Sequence, residues 1–209
     1  MVGRIITSNI CVSEGADWLG VKEPIFKYAI EKIDEIPLRL RRDGFVALLD
    51  AIVSQQISVA AARGIWSRME AANLCSSTNI LNATDDDLKN AGLSRSKVKY
   101  ARALAESELN FEDLRVLPNE QVTEKLIEIK GIGRWTAEIY CMFALGRADA
   151  FAAGDLALQE SAKVLFELEK RPSEAELRQM AENWSPWKSV AARILFAYYR
   201  VIKNREGLK

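Results

Sequence analysis

Three features of this 209-residue chain predict an all-α fold. Apolar residues recur every three or four positions along most of its length, helix-start signals are repeated, and the strand pattern of strict alternation is almost absent. In order, "RIITSNICV" near the start alternates weakly. "PIFKYAIEKIDEI" from Pro24 and the long run "FVALLDAIVSQQISVAAARGIWSRM" from Phe45 both carry helical spacing. Thr84 before "DDDL" reads as an N-cap with acids in the first turn, where the exposed amides favour negative charge. Gly92 stands where that helix stops, and "RSKVKYARALAESEL" from Arg95 begins the next. Pro118 opens "PNEQVTEKLIEI", which ends at Gly131, and a further helix starts at about Gly133. Asp155 follows a glycine at the start of another helix, and Ser173 with Glu176 three residues later forms a capping box. The expectation is about ten short helices, with no fixed-period repeat, no low-complexity linker and no clear domain boundary.

Composition bounds the function. Hydrophobic residues make up 49% and charged residues 28%, the balance of a globular domain with its own core. The longest apolar runs fall short of the roughly 20 residues of a membrane span, and "MVGRIITSNICV" lacks the apolar core and cleavage site of a signal peptide. A cytoplasmic (nucleoid-associated) or nuclear protein, neither secreted nor membrane-bound, is expected. Cys11, Cys75 and Cys141 are widely spaced and odd in number, the pattern of reduced thiols. The chain contains no histidine, which excludes Ser-His-Asp and Cys-His nucleophiles and histidine-based zinc sites. Its formal net charge is zero, so any contact with nucleic acid must come from a local face.

One local face is visible in "IKGIGRW", Ile129 to Trp135. It is not a dinucleotide fingerprint, because the third glycine is missing and the preceding residues read as helix rather than strand. A helix, a Gly-x-Gly turn and a second helix gather unpaired backbone N–H groups at a helix N-terminus, which suits a phosphate. Lys130 and Arg134 flank that turn. The alternative is a helix-helix turn that needs two glycines for its own geometry. For Asp155 the local alternative is a simple helix cap.

Four segments together, "LLDAIVSQQISVAAARGIW", "GLSRSKVKYARALA", "LIEIKGIGRWTAEIYCMFALGRADAFAAGDLAL" and "WSPWKSVAARILF", resemble the helix-hairpin-helix (HhH-GPD) DNA glycosylases, within them the 3-methyladenine DNA glycosylase II branch. The resemblance runs from about Phe45 to Phe196, and Asp155, 20 residues beyond Trp135, is its most specific spacing. It implies two helical lobes around a central cleft in a single glycosylase domain: a middle lobe over about 57–150 and a second built from about 1–56 and 151–209. It also implies a monofunctional base-excision enzyme that hydrolyses the N-glycosidic bond of alkylated bases in double-stranded DNA, acting as a monomer and leaving an abasic site.

The chemistry agrees with that implication. Cleaving an N-glycosidic bond develops positive charge on the deoxyribose, and one well-placed carboxylate can stabilise it; the resemblance assigns that role to Asp155. Members that also cut the strand carry a lysine after the Gly-Ile-Gly-Arg, whereas this chain has Trp135, so no Schiff base is expected. An aromatic face also suits a cationic alkylated base, at about 0.5–2 kcal/mol. Phe196 and Ile139 fall at further base-pocket positions, Ile139 where some relatives have tyrosine. For DNA binding the resemblance implies the backbone of Gly131 and Gly133 with Lys130, Arg134 and Thr136 on phosphates, and Gln56 or the Leu93-Ser94-Arg95 loop filling the gap left by a flipped nucleotide. No cofactor is expected for catalysis; a structural Na+ or K+ on the carbonyls of Ile127, Ile129 and Ile132 is implied. No four-cysteine cluster follows the last helix, so no iron-sulfur cluster is expected, and fewer than 45 residues precede Phe45, too few for the β-rich N-terminal domain of some relatives. Two other functions remain open from sequence: a relative acting on deaminated or oxidised bases, and a non-catalytic helix-hairpin-helix protein that binds DNA damage.

Overall fold

The computed structural model describes residues 2–206, which contain thirteen helices and, outside them, only an isolated antiparallel bridge between Ile5 and Arg147. The all-α expectation holds, with more and shorter helices than the spacing suggested. Among the described residues no helix is long and apolar enough to cross a membrane. The described residues divide into two compact units, 41–140 and 2–40 with 141–206.

The second unit contains α1 (Asn9–Lys22), α2 (Ile25–Ile30), α11 (Leu156–Leu165), α12 (Glu174–Glu182) and α13 (Lys188–Glu206). Its core is aromatic: the Trp184 ring meets Phe26 edge-on at 5.3 Å and Phe151 at 5.4 Å, and stacks on Phe166 at 5.8 Å. Gly15 of α1 permits close approach of α13, because a Cβ there would lie 2.7 Å from both Trp187 and Val190. The residues before α1 do not form a strand. Ile6 N–H donates to the Gly146 carbonyl at 2.7 Å and Ala148 N–H to the Arg4 carbonyl at 2.9 Å, and the ladder stops there. The alternation in "RIITSNICV" therefore serves one bridge, and helix takes over at Asn9. Arg193, fully buried, ties this unit together. It donates to the carbonyls of Leu38, Ser189 and Met142, and its guanidinium lies 4.8 Å from the Phe143 ring centre.

The first unit contains α3 (Phe45–Ser54), α4 (Val59–Ala71), α5 (Ser77–Asn82), α6 (Asp85–Asn90), α7 (Arg95–Glu106), α8 (Phe111–Val116), α9 (Asn119–Ile127) and most of α10 (Arg134–Phe143). Thr84 caps α6 in a complete box with Asp87, and in the second unit Ser173 does the same for α12 with Glu176. Two expectations need correcting. The run from Phe45 is not one helix but two, because Gln55 (φ −59°, ψ 131°) and Gln56 (φ 56°) turn the chain before Ser58 caps α4. Gln56 is thus a turn residue. The division also falls at 40/41 and 140/141 rather than 56/57 and 150/151. The reason is that α3 packs on α7 and α4, and the buried Lys97 of α7 donates its Nζ to the Val53 carbonyl of α3 at 2.7 Å.

Candidate functional site

The candidate residues divide between the units. In the first, the turn from α9 into α10 has the geometry of a hairpin. Ile129 N–H closes on the Leu126 carbonyl at 3.2 Å and Ile132 N–H on Ile129 at 3.0 Å, and Gly133 is the N-cap whose carbonyl accepts from Ala137 N–H at 3.0 Å. The two glycines have different reasons. Gly131 sits at φ +97°, and a Cβ on it would lie 2.2 Å from the Tyr100 ring, so the fold itself demands glycine there. Gly133 has no positive φ, and a Cβ on it would meet nothing within 4 Å. Serine, asparagine or aspartate caps a helix at least as well as glycine. Nothing inside the unit requires Gly133 to be bare, and its backbone is open to approach from outside, beside the first N–H groups of α10.

Around this turn the structure sorts the expected residues. Lys130 is exposed and Arg134 is exposed at the start of α10. Arg134 is not simply aimed at solvent: it pairs with Glu120 at 2.7 Å and with Glu138 at 3.4 Å. Its hydrogen bond to Glu120 is the main influence raising its pKa. Glu138 is only 6% exposed, so part of Arg134's work is to compensate a buried carboxylate. Thr136, expected at a phosphate, is 4% exposed and packs inward. Trp135, by contrast, is 44% exposed on the first turn of α10, unlike the buried Trp184 and Trp187. Ile139, one turn further on, is half-buried.

The two gap-filling candidates also separate. Gln56 is exposed at the turn between α3 and α4. In the "GLSRSK" loop, Leu93 is buried at 3% exposure, Ser94 spends its hydroxyl accepting from Lys97 N–H at 3.3 Å, and Arg95 is the exposed long side chain. An apolar wedge from Leu93 is therefore not what this loop presents; the hydrophobic core has claimed that side chain.

In the second unit, the segment leading to α11 is held from several sides. Ser189 N–H donates to the Ala148 carbonyl at 2.8 Å, Ser185 Oγ to Asp149 Oδ2 at 2.8 Å, and Ala150 to Ala153 are buried. Asp155 is the N-cap of α11: its Oδ1 accepts from Ala157 N–H at 2.8 Å and Leu158 N–H at 3.2 Å. The residue is half-buried, and these two amides orient its Oδ1. Phe196 of α13 is half-buried too, 6.2 Å from Phe143 and with the Arg39 guanidinium 5.2 Å over its face.

Residues that sequence reasoning missed include Gln55, whose Nε2 donates to the Gly131 carbonyl at 2.9 Å, along with Lys97 and Tyr100. Their partners lie tens of residues away, and no local pattern announces them.

Comparison with known proteins agrees with this arrangement. Residues 49–186 match the model of the HhH-GPD superfamily base excision DNA repair proteins. The chain is 29% identical over 164 residues to an alkylbase DNA glycosidase-like protein, mag2, of Schizosaccharomyces pombe, covering 73% of this chain and 76% of that protein. Among solved structures it is similar to a DNA-3-methyladenine glycosidase from Bacillus halodurans (TM-score 0.79, 30% identity, 89% of each chain). It is also similar to the S. pombe 3-methyladenine DNA glycosylase Mag1 in complex with abasic DNA (TM-score 0.77, 26% identity, 88% of this chain and 95% of that one).

Proposed function

Because the chain belongs to the HhH-GPD superfamily of base excision DNA repair proteins, we propose that it is a DNA glycosylase that hydrolyses the N-glycosidic bond of alkylated, 3-methyladenine-type bases in duplex DNA. The names of the similar proteins support the alkylated-base class. The observation that carries the chemistry is Asp155, a single half-buried carboxylate oriented by two backbone amides at a helix start. As the C1′–N bond breaks, the departing base takes the bonding electrons, and the carboxylate stabilises the positive charge left on the sugar. Water then bonds to C1′ and loses a proton to solvent, leaving an abasic site and the neutral free base.

The reaction is monofunctional. A lyase needs an amine at the sugar, and the position that would carry it holds Trp135, whose exposed ring instead offers a face for a cationic base. A formal charge on the base makes it a better leaving group, so a strong general acid is unnecessary. The hairpin binds phosphate through the open backbone at Gly133 and the charge of Lys130, with no sequence preference. In the same reading the hairpin would hold a monovalent cation on the carbonyls of Ile127, Ile129 and Ile132, backbone oxygens being hard donors for such an ion. Such an ion would add local positive charge for a phosphate. The protein works as a monomer.

The test is incubation with methylated duplex and chromatography of the released bases. Release of 3-methyladenine with no strand cleavage and no borohydride-trapped adduct is expected. Release only of deaminated or oxidised bases would replace the substrate class, and tight damage-specific binding with no release at all would refute the enzyme.

A further inference from the structure

The first unit braces the turn at Gln56 in a way its sequence does not suggest. Gln55 (φ −59°, ψ 131°) followed by Gln56 (φ 56°) has the backbone signature of a type II turn, whose second central residue is normally glycine. A glutamine there is strained, and such outliers persist where the surroundings hold them and the side chain has a use. Three contacts do the holding. Lys97 Nζ donates to the Val53 carbonyl at 2.7 Å, in the last turn of α3. Tyr100, one turn along α7 from Lys97, lies against Gly131 of the hairpin. Gln55 Nε2 then closes the triangle by donating to the Gly131 carbonyl at 2.9 Å, 76 residues away in sequence. The turn presenting Gln56, the phosphate-binding hairpin and the helix led by Arg95 thus share one bracing network, in which Gln55 links turn to hairpin directly.

We propose that Gln55 is a positioning residue: its side-chain bond to the Gly131 carbonyl sets the turn presenting Gln56 relative to the hairpin, so that engagement of the DNA backbone and filling of the gap left by a flipped nucleotide occur in one register. The proposal rests on the glycosylase reading for the identity of the ligand, and its coupling is measurable without catalysis. Gln55 does not touch the reacting atoms. It acts through Gln56.

The experiment is a double-mutant cycle with Gln55→Met, which keeps the length and removes the donor, and Gln56→Ala. Two signals are read: single-turnover base release from methylated duplex, and fluorescence of 2-aminopurine placed opposite a tetrahydrofuran abasic analogue, which reports gap filling. Loss of one ordinary hydrogen bond should reduce both signals by between about twofold and about tenfold in the wild-type background. In the Gln56→Ala background, Gln55→Met should have no further effect, while the thermal midpoint shifts equally in both. Equal fold losses in the two backgrounds would show a purely structural residue and overturn the proposal, as would no loss at all. Gln55→Glu, which sets an acceptor against the Gly131 carbonyl, should be worse than Gln55→Met; equality would likewise count against it. A wild type that gives the fluorescence response but releases no base removes the glycosylase reading, with the cycle still decided by fluorescence; a wild type that gives neither overturns both.

Discussion

Replacing Asp155 by asparagine and by alanine separates its two roles. In the structure Oδ1 accepts from Ala157 N–H at 2.8 Å and Leu158 N–H at 3.2 Å, so the residue is a working N-cap. Asparagine retains an amide oxygen for those bonds and ranks with aspartate at N-caps; only the favourable interaction of a charge with the helix end, about 0.3–1 kcal/mol, is lost. Alanine loses both bonds, at about 0.5–2 kcal/mol. For a chain of this size each kcal/mol lowers the midpoint by about 2–4 °C, so Asp155→Asn should lie within about 4 °C of wild type and Asp155→Ala should melt lower than the asparagine variant. Catalysis should follow a different order. Both variants lack the charge that stabilises the sugar cation, and removing one preorganised electrostatic group costs about 100- to 1000-fold in rate. Single-turnover release of 3-methyladenine under enzyme excess, with differential scanning fluorimetry on the same preparations, measures both. The reasoning is refuted if Asp155→Asn releases base within about tenfold of wild type, or if the loss in each variant merely tracks its unfolded fraction.

Four further outcomes follow from the structure. Gly133→Ser keeps a good N-cap and places its side chain in open space, so stability should change by no more than about 0.5 kcal/mol while DNA affinity falls; unchanged affinity would mean that no phosphate approaches that backbone. Lys130→Ala should weaken binding to every duplex alike and lower the salt slope by about one, without shifting the thermal midpoint. Arg134→Ala should do so while also lowering that midpoint, because the buried Glu138 loses a partner, at about 1–3 kcal/mol; equal midpoints in the two variants would deny the ion pair its structural part. Cys11, with its thiol lowered to about 6 chiefly by the backbone of Thr7 and then by the hydroxyls of Ser8 and Thr7, should be mostly thiolate above that pH. Its alkylation by iodoacetamide, followed by mass spectrometry, should rise through about pH 6 and level off by neutrality, whereas Cys75, raised by burial, should react slowly until alkaline pH; a Cys11 midpoint above about 8 would contradict the geometry.

Much of the fold was legible because its signals are local. The capping boxes at Thr84 and Ser173, the helix-ending Gly131 and the cap at Asp155 each depend on residues within a few positions, so their sequence spacing carried the geometry directly. The break at Gln55 and Gln56 was not legible, since apolar spacing continues across it and neither glycine nor proline marks it. The burial of Leu93 and Thr136 was hidden for a related reason: a motif names positions in a loop or helix, and which side chains turn inward is decided by the packing of the unit.

The sequence by itself determined an all-helical chain, a Gly-x-Gly turn followed by tryptophan rather than lysine, and an aspartate 20 residues beyond that tryptophan. Only the tertiary structure decided that packing demands glycine at 131 and not at 133, that Arg134 serves Glu138 as well as the surface, and that Gln55 reaches across 76 residues to Gly131. The physical reason is range. Backbone dihedral preference and capping act within a turn of the chain, whereas the room around a Cβ, the burial of a charge and a bond between distant segments exist only once the helices have packed.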